Sequence, residues 1–314
     1  MKDDPILDHA HAAPVEPHVP AARAAGLAVR LHDYFELLKP RLTMLVLLTV
    51  AGGYVMGSPA APHFAALWHV LIGMTLVVGG GATLNQYLER GTDGLMRRTQ
   101  NRPLPAHRMD PSEVLVYGAA LATAGLVYLE LTADLAVMLL AAAAAAIYLL
   151  AYTPLKRRTV LNTLVGGITG ALPPLIGWAA ARGGHVSAGA WALFAILFIW
   201  QMPHFFALSW CFKDDYQNAG IRTLSGLHDG GRMVMAVIVL FALVQIPAAL
   251  APAWLGVSGR LYFYAALFLS VAFFGLCAKL AWTRSRRDAW VVFWASIAWL
   301  PLIFSVMLYD RIPM

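Results

Sequence analysis

Charged residues are scarce in this sequence. Asp, Glu, Lys and Arg make up 13% of its 314 residues and hydrophobic residues make up 60%, whereas a soluble globular domain carries about 25% charged residues. This composition excludes a soluble single domain, and the high hydrophobicity excludes a disordered chain. Cysteine is also rare, because Cys211 and Cys277 are the only two. A disulfide scaffold is therefore excluded, both cysteines are expected to be reduced, and the class that fits is an integral membrane protein.

Long apolar runs recur along the chain and indicate how it crosses the membrane. A spanning helix needs about 20 mostly apolar residues, and continuous runs favour helices over a barrel, whose strands alternate between apolar and polar residues. We therefore predict an all-α polytopic membrane protein with nine transmembrane helices. The predicted spans cover residues 41–57, 64–88, 113–131, 134–151, 160–181, 188–209, 231–250, 261–282 and 289–309.

The N-terminal stretch differs from the rest of the chain. It is rich in Pro, Ala and His and has no apolar periodicity, which predicts a disordered tail over residues 1–32 and a transmembrane domain over residues 33–314. The tail lacks the apolar run of a secretory signal, and its acidic residues are unlike a mitochondrial transit peptide, which contains few. We therefore expect a bacterial inner membrane protein. The acidic residues of the tail are Asp3, Asp4, Asp8 and Glu16.

The basic residues are distributed unevenly around the predicted spans. All but three of the 23 Lys and Arg residues fall in the tail and in alternate loops on one side, and Arg182, Arg260 and Arg311 fall on the other. Because basic loops stay in the cytoplasm, we predict a cytoplasmic N-terminus and a C-terminus outside. The net charge of +6 suits anionic lipid and anionic substrates, and it gives no reason to expect nucleic acid as a partner.

Three side chains with oxygen atoms lie where the second predicted span ends. Asn85, Glu89 and Asp93 are spaced four residues apart, which on a helix places them in one stripe about 12 Å long. Amide and carboxylate oxygens suit Mg²⁺, which usually binds one or two carboxylates together with substrate phosphates. A solvated helix end is the alternative, but polar groups beside an apolar span are costly and tend to be functional. Arginines that could bind the phosphates follow in the next loop: Arg97, Arg98, Arg102 and Arg108.

Two further polar clusters are predicted at the same face of the membrane. Asp214 and Asp215 follow the sixth span, four spans after the first cluster. The two acidic clusters could together hold two Mg²⁺ ions bridged by a diphosphate, although an Asp pair at a loop start is also typical of a solvated turn. Between the fourth and fifth spans, the cations at 156–158 form either a diphosphate clamp or a determinant of topology.

These motifs resemble those of the UbiA superfamily of intramembrane prenyltransferases. The stretch 85–105 is similar to the family's first metal motif, Asn-x-x-x-Asp/Glu-x-x-x-Asp followed by Arg-Thr-x-Asn-Arg-Pro. Tyr152 and Lys156 match the family's Tyr-x-x-x-Lys loop motif. The resemblance covers about residues 33–310. Within the family, the runs 162–178 and 200–205 resemble the branch that modifies haem.

The sequence also departs from the family pattern. Gln86 follows Asn85, whereas many members have Asp there, and the middle acid of the motif is Glu89. The second family motif has spaced aspartates, but here only the adjacent Asp214 and Asp215 are present. Asp215, which precedes a tyrosine, matches the haem-modifying branch better than Asp214 does.

The resemblance implies a nine-helix UbiA-type bundle that transfers a farnesyl group from farnesyl diphosphate to a vinyl group of haem B. Addition of water would then give haem O. It also implies Mg²⁺ as cofactor, and it leaves open any contact with the next enzyme of haem A synthesis. The implied metal ligands are Asn85, Glu89, Asp93 and Asp215, with Asp214 as a further candidate. The groups implied to stabilise the departing pyrophosphate are Lys156, Arg98 and Arg102, and those implied to bind substrate are Tyr152, Arg157, Asn162 and His204.

Other interpretations stay open at this point. His204 is either an axial ligand of haem iron or a packed histidine. A related enzyme that prenylates a quinone precursor or chlorophyllide would share the metal site. An anion transporter is a different class, but transporters place charges near the bilayer midplane, whereas here the carboxylates cluster at one rim.

Overall fold

The structure is a computed structural model that describes residues 26–227 and 230–313. Within these residues, nine helices are long and apolar enough to cross a membrane, which confirms the predicted number. In chain order the helices are α1 (Leu27–Leu37), α2 (Pro40–Gly57), α3 (Phe64–Asp93), α4 (Pro111–Thr132), α5 (Leu135–Ala146), α6 (Thr153–Leu155), α7 (Asn162–Ala181), α8 (Ala188–Cys211), α9 (Lys213–Asn218), α10 (Arg232–Trp254), α11 (Arg260–Thr283) and α12 (Arg286–Tyr309). The fourth span, Leu135–Leu155, joins α5 to α6 through a π-helix, Ile147–Tyr152.

The observed spans differ from the predicted ones mainly at their ends. Helix α3 continues to Asp93 rather than ending at residue 88, so the whole polar stripe is helical. The predicted tail extended to residue 32, but α1 begins at Leu27. Helix α1 is anchored by Leu37, which is buried in the bundle. Leu27 and Leu31, four residues apart, are exposed. Residues 1–25 of the predicted tail lie outside the described residues.

Glycine lets two of the spans approach until their backbones touch. A Cβ atom at Gly53 of α2 would lie 1.9 Å from the carbonyl oxygen of Pro174 in α7, and one at Gly177 would lie 1.9 Å from that of Val50. No side chain fits such a gap, and small residues are what membrane helices use to pack closely. The α2–α7 crossing therefore holds the C-terminal halves of both helices in close contact.

A small apolar cluster secures one end of the bundle. Leu37 of α1 packs with Leu104 and Met109 of the loop after α3 and with Val114 of α4. Beside this cluster, Arg108 donates hydrogen bonds to Asp33 at 2.9 Å and to Glu36 at 2.7 Å. The loop that carries the predicted phosphate-binding arginines is thus fastened to α1 and α4.

Candidate active site

The described part of the chain contains a cavity of about 870 Å³ inside the bundle. Its polar end lies where α3, α6 and α8 end and where α2 and α7 begin. Its remaining wall is mainly apolar and includes Met74, Val77, Ala141 and Ile176. The cavity therefore has one end suited to a charged group and a longer part suited to a hydrocarbon chain.

The predicted polar stripe lines one wall of this cavity. Asn85, Glu89 and Asp93 all contribute to the lining, and the first and last of them are each 1% exposed. Their spacing of four residues aligns them on α3 as the sequence predicts. Three oxygen-bearing side chains on one wall form a donor set that suits a hard cation such as Mg²⁺.

Each residue of the stripe contacts one cationic side chain. Asn85 Oδ1 accepts a hydrogen bond from Lys39 Nζ at 2.9 Å. Asp93 Oδ2 lies 2.7 Å from Arg102 Nη1. The remaining pair joins Glu89 Oε1 to Lys156 Nζ at 2.5 Å.

The charge of Lys156 is favoured by its neighbours. Burial alone would lower the pKa of Lys156, but the nearby Tyr152 and Glu89 raise this pKa above its usual value. This lysine is therefore a stable cation at the polar end of the cavity.

Lys39 is a site residue that the sequence analysis missed. It links α1 to α2 in a left-handed conformation, with φ of 48°, which is uncommon for a residue with a side chain. Burial and, to a smaller extent, the nearby cations Arg102 and Lys156 lower the pKa of Lys39 to about 7, against the opposing effect of Glu89 and Asp93. A signal was present in the sequence, because a lysine directly before Pro40 stands at the mouth of the first span.

The π-helix places two tyrosines in the cavity wall. The rings of Tyr148 and Tyr152 stack with their centroids 5.7 Å apart, and both line the cavity. Lys156 Nζ lies 4.6 Å from the ring centroid of Tyr152. Thr153 Oγ1 donates to the carbonyl oxygen of Tyr148 at 2.8 Å and accepts from Asn85 Nδ2 at 3.1 Å. Tyr148 was also missed, although it precedes the predicted Tyr152 by four residues.

Three other predicted residues line the polar end of the cavity. Arg98, Arg157 and Asn162 all contribute to its lining. The side-chain amide of Asn162 donates to the carbonyl oxygen of Arg222 at 2.8 Å, so this residue holds the loop after α9 against the start of α7. Arg98 lies 5.8 Å from the ring centroid of Phe212.

The second acidic cluster stands at the same end but outside the cavity lining. Asp214 and Asp215 lie on the short helix α9, where the first is exposed and the second is half-buried. The next residue, Tyr216, does line the cavity. Helix α9 thus reaches the cavity through Tyr216. Of the two aspartates, Asp215 is the more buried.

His204 belongs to α8, its ring packs against α12, and it is not among the residues that line the cavity. Its Nδ1 atom is 2.7 Å from Ser296 Oγ, and its ring stacks on Trp200 and Phe293 with centroids 5.3 and 4.8 Å away. The Ser296 hydroxyl also lies 2.6 Å from the carbonyl oxygen of Phe293, and when it donates to that oxygen, Nδ1 of His204 is the donor to Ser296. In that tautomer the other ring nitrogen, Nε2, carries the lone pair.

The chain matches the UbiA prenyltransferase family over residues 46–302, and it belongs to that family. It is therefore an integral membrane prenyltransferase. Two curated relatives are both named protoheme IX farnesyltransferase. One, from Solibacter usitatus, is 43% identical and the match covers 90% of this chain and 99% of the relative. The other, from Koribacter versatilis, is 39% identical over 91% of this chain and 95% of the relative.

Solved structures share the fold at low sequence identity. A digeranylgeranylglyceryl phosphate synthase superposes with a TM-score of 0.77 at 16% identity, covering 90% of this chain and 99% of that one. A UbiA homologue from Archaeoglobus fulgidus bound to GPP and Mg²⁺ gives a TM-score of 0.64 at 16% identity, covering 88% and 99%. These likenesses confirm the predicted UbiA-type bundle.

Proposed function

We propose that this chain transfers the farnesyl group of farnesyl diphosphate to a vinyl group of haem B, with addition of water, and so produces haem O. The observation that carries the proposal is the cavity, whose polar end pairs oxygen ligands with cations and whose longer part is apolar. The substrates are those named by the relatives that match nearly the whole chain. The bacterial sources of these relatives favour the inner membrane.

The residues of the α3 stripe would hold the metal. Asn85, Glu89 and Asp93 offer amide and carboxylate oxygens on one wall, and Asp215 on α9 is the proposed ligand from the second acidic cluster. A bound Mg²⁺ supplies Lewis-acid withdrawal of charge from the diphosphate. Asp214 is the weaker candidate because it is exposed.

The cations of the site act on the leaving group. When the bond between C1 of the farnesyl chain and the diphosphate oxygen breaks, pyrophosphate leaves with the bonding electrons. Lys156, Arg102 and Arg98 line the polar end of the cavity, where that negative charge would develop, and preorganised charges there lower the barrier most. Arg157, at the exposed rim, contributes to binding the diphosphate.

The allylic cation left behind needs an electron-rich and dry environment. The stacked rings of Tyr148 and Tyr152 line the cavity beside the cations, and aromatic faces attract positive charge. The apolar wall keeps bulk water from reaching the cation early. Asn162 keeps the neighbouring loop in place through its bond to Arg222.

The acceptor completes the reaction at the haem. The terminal carbon of a vinyl group forms the new bond to C1, and water adds to the other vinyl carbon and loses a proton. We propose that His204 ligates the haem iron through Nε2, because its Nδ1 is fixed on Ser296. Phe205, the next residue of α8, lines the cavity, so this part of α8 lies close to the prenyl site.

The proposal is tested with detergent-purified protein, haem B, farnesyl diphosphate and Mg²⁺, with the products measured by mass spectrometry. The expected product is haem B plus one farnesyl group and one water, and a chelator should abolish it. Prenylation of a quinone precursor or of chlorophyllide, with no haem product, would transfer the substrate assignment to a related prenyltransferase. Failure with every acceptor, in protein shown to be folded, would overturn the proposal.

A further inference from the structure

The three proposed metal ligands do not hold their cations in the same way. Lys156 and Arg102 each contact a carboxylate, at 2.5 and 2.7 Å, so the charges of those two pairs balance. Lys39 instead contacts the neutral amide oxygen of Asn85 at 2.9 Å. It is therefore the cation in this group without a carboxylate of its own.

Protonating the Lys39 amine in the wall of a membrane cavity is costly while no anion pairs with it. A buried charge is normally compensated by an ion pair or by a bound ion, and among the described residues the one hydrogen-bond partner of the Lys39 ammonium is Asn85. The backbone of Lys39 is also left-handed, with φ of 48°. Residues other than glycine adopt this conformation at a cost in free energy. Both features indicate that Lys39 pairs with an anion when one binds in the cavity.

The contact with Asn85 has a second consequence. The amide oxygen that would bind the metal is the same atom, Oδ1, that accepts the hydrogen bond from Lys39. A cation bound at this oxygen would repel the ammonium of Lys39 at close range. The lysine must therefore leave Asn85 when the metal binds, and the oxygens of a diphosphate are the acceptors that the cavity would then offer it.

We propose that Lys39 is a further substrate-binding residue, which rests on Asn85 in the free enzyme and moves to the diphosphate when the metal and the prenyl diphosphate bind. The inference rests on the proposed prenyl diphosphate substrate. In this arrangement the metal displaces Lys39 from Asn85, and the diphosphate accepts the displaced lysine. Each ligand should therefore raise the affinity of the protein for the other.

Two binding measurements test this inference without turnover. The first is the affinity for a non-reactive farnesyl thiolodiphosphate in saturating Mg²⁺, by calorimetry. The second is the affinity for Mn²⁺ by electron paramagnetic resonance, with and without inorganic diphosphate. In the wild-type protein, we expect diphosphate to raise the affinity for Mn²⁺ by about tenfold or more.

The variant Lys39→Met keeps the unbranched shape and most of the length of the side chain and removes its charge. Its affinity for the thiolodiphosphate should fall by about tenfold or more, and its affinity for Mn²⁺ alone should be unchanged or higher because Asn85 is free. Arg41→Met is the matched control, since Arg41 is an exposed cation two residues further along. It should leave both affinities unchanged.

Unchanged thiolodiphosphate binding in Lys39→Met would overturn the inference. So would a loss of affinity for Mn²⁺ alone, because that result would mean that Lys39 merely positions Asn85. Lys39→Arg retains the charge and should retain most of the thiolodiphosphate binding. This variant tests the inference if the Met variant does not fold. Loss of binding in folded Lys39→Arg would count against the inference. A wild-type protein that binds no thiolodiphosphate would instead overturn the proposed function.

Discussion

Lys156 Nζ lies 2.5 Å from Glu89 Oε1, and this ion pair joins two motifs that are 67 residues apart in the sequence. The side chains are 19% and 13% exposed, so both charges are largely removed from water. Ion pairs this buried add little stability on balance, because desolvation offsets the attraction. We infer that the pair is kept for chemistry, with Glu89 toward the metal and Lys156 toward the leaving group.

Removing the charge of Lys156 should slow the reaction more than it weakens binding. We expect Lys156→Met to lower kcat by about 100-fold or more, the usual effect of losing one group that stabilises transition-state charge. The measurement is haem O formation in single-turnover and steady-state assays. Lys279→Met is the matched control, because Lys279 also forms an ion pair, with Asp288 at 3.0 Å, but does not line the cavity. Equal rates for the two variants would contradict the assigned role of Lys156.

The two aspartates of α9 should differ in their effects. We expect Asp215→Asn to lower kcat by about 100-fold and to raise the Mg²⁺ concentration needed for half-maximal rate. Asp214→Asn should cause a much smaller loss, because Asp214 is exposed whereas Asp215 is half-buried next to the cavity residue Tyr216. Titrations of rate against Mg²⁺ measure both effects. The reverse ranking would assign the metal to Asp214.

His204 should affect the haem and leave the prenyl donor alone. We expect His204→Ala to weaken haem B binding by about tenfold or more, since an axial imidazole is lost. Its affinity for the farnesyl thiolodiphosphate should stay unchanged. Ser296→Ala retains the imidazole but frees Nδ1, so it should shift the haem absorption spectrum with a smaller loss of affinity. Haem titrations followed by visible absorption make both measurements. Unchanged haem affinity and spectrum in His204→Ala would remove this residue from the haem site.

The sequence predicts the spans and the α3 stripe because both depend on local patterns. Apolar runs of spanning length define the nine helices, and a spacing of four residues defines the shared wall of Asn85, Glu89 and Asp93. The lysine before Pro40 is visible in the sequence, but the place of Lys39 in the site was missed because it depends on a left-handed turn between two helices. Tyr148 was missed although its spacing of four residues from Tyr152 places both side chains on one face of a helix.

His204 shows where adjacency in sequence gives no answer. Its neighbour Phe205 lines the cavity, whereas His204 itself packs against Ser296 and Phe293 of α12. Which face of α8 meets the cavity is set by how the spans pack, and a single sequence does not contain that information. The motif around His204 therefore indicates the family. It does not predict whether the imidazole ring faces the cavity or α12.

The close crossing of α2 and α7 makes a last prediction, about stability. In Gly177→Ala the new methyl group would lie 1.9 Å from the carbonyl oxygen of Val50, so the helices must separate, and such overpacking costs about 1–3 kcal/mol. We expect a lower melting temperature in detergent. Because Lys39 precedes α2 and Asn162 begins α7, we also expect weaker thiolodiphosphate binding.

Gly275→Ala in α11 is the matched control for this substitution, because a Cβ atom there would meet nothing within 4 Å. Alanine is favoured over glycine inside a helix by about 1 kcal/mol, so this variant should melt at the same temperature or slightly higher. If the two variants melted together, the crossing would not be limiting for stability. Gly177→Ala could instead have a lower melting temperature and normal affinity for the thiolodiphosphate. That result would mean that α1, α4 and the loop between α3 and α4, rather than the crossing, hold the polar end of the cavity in place.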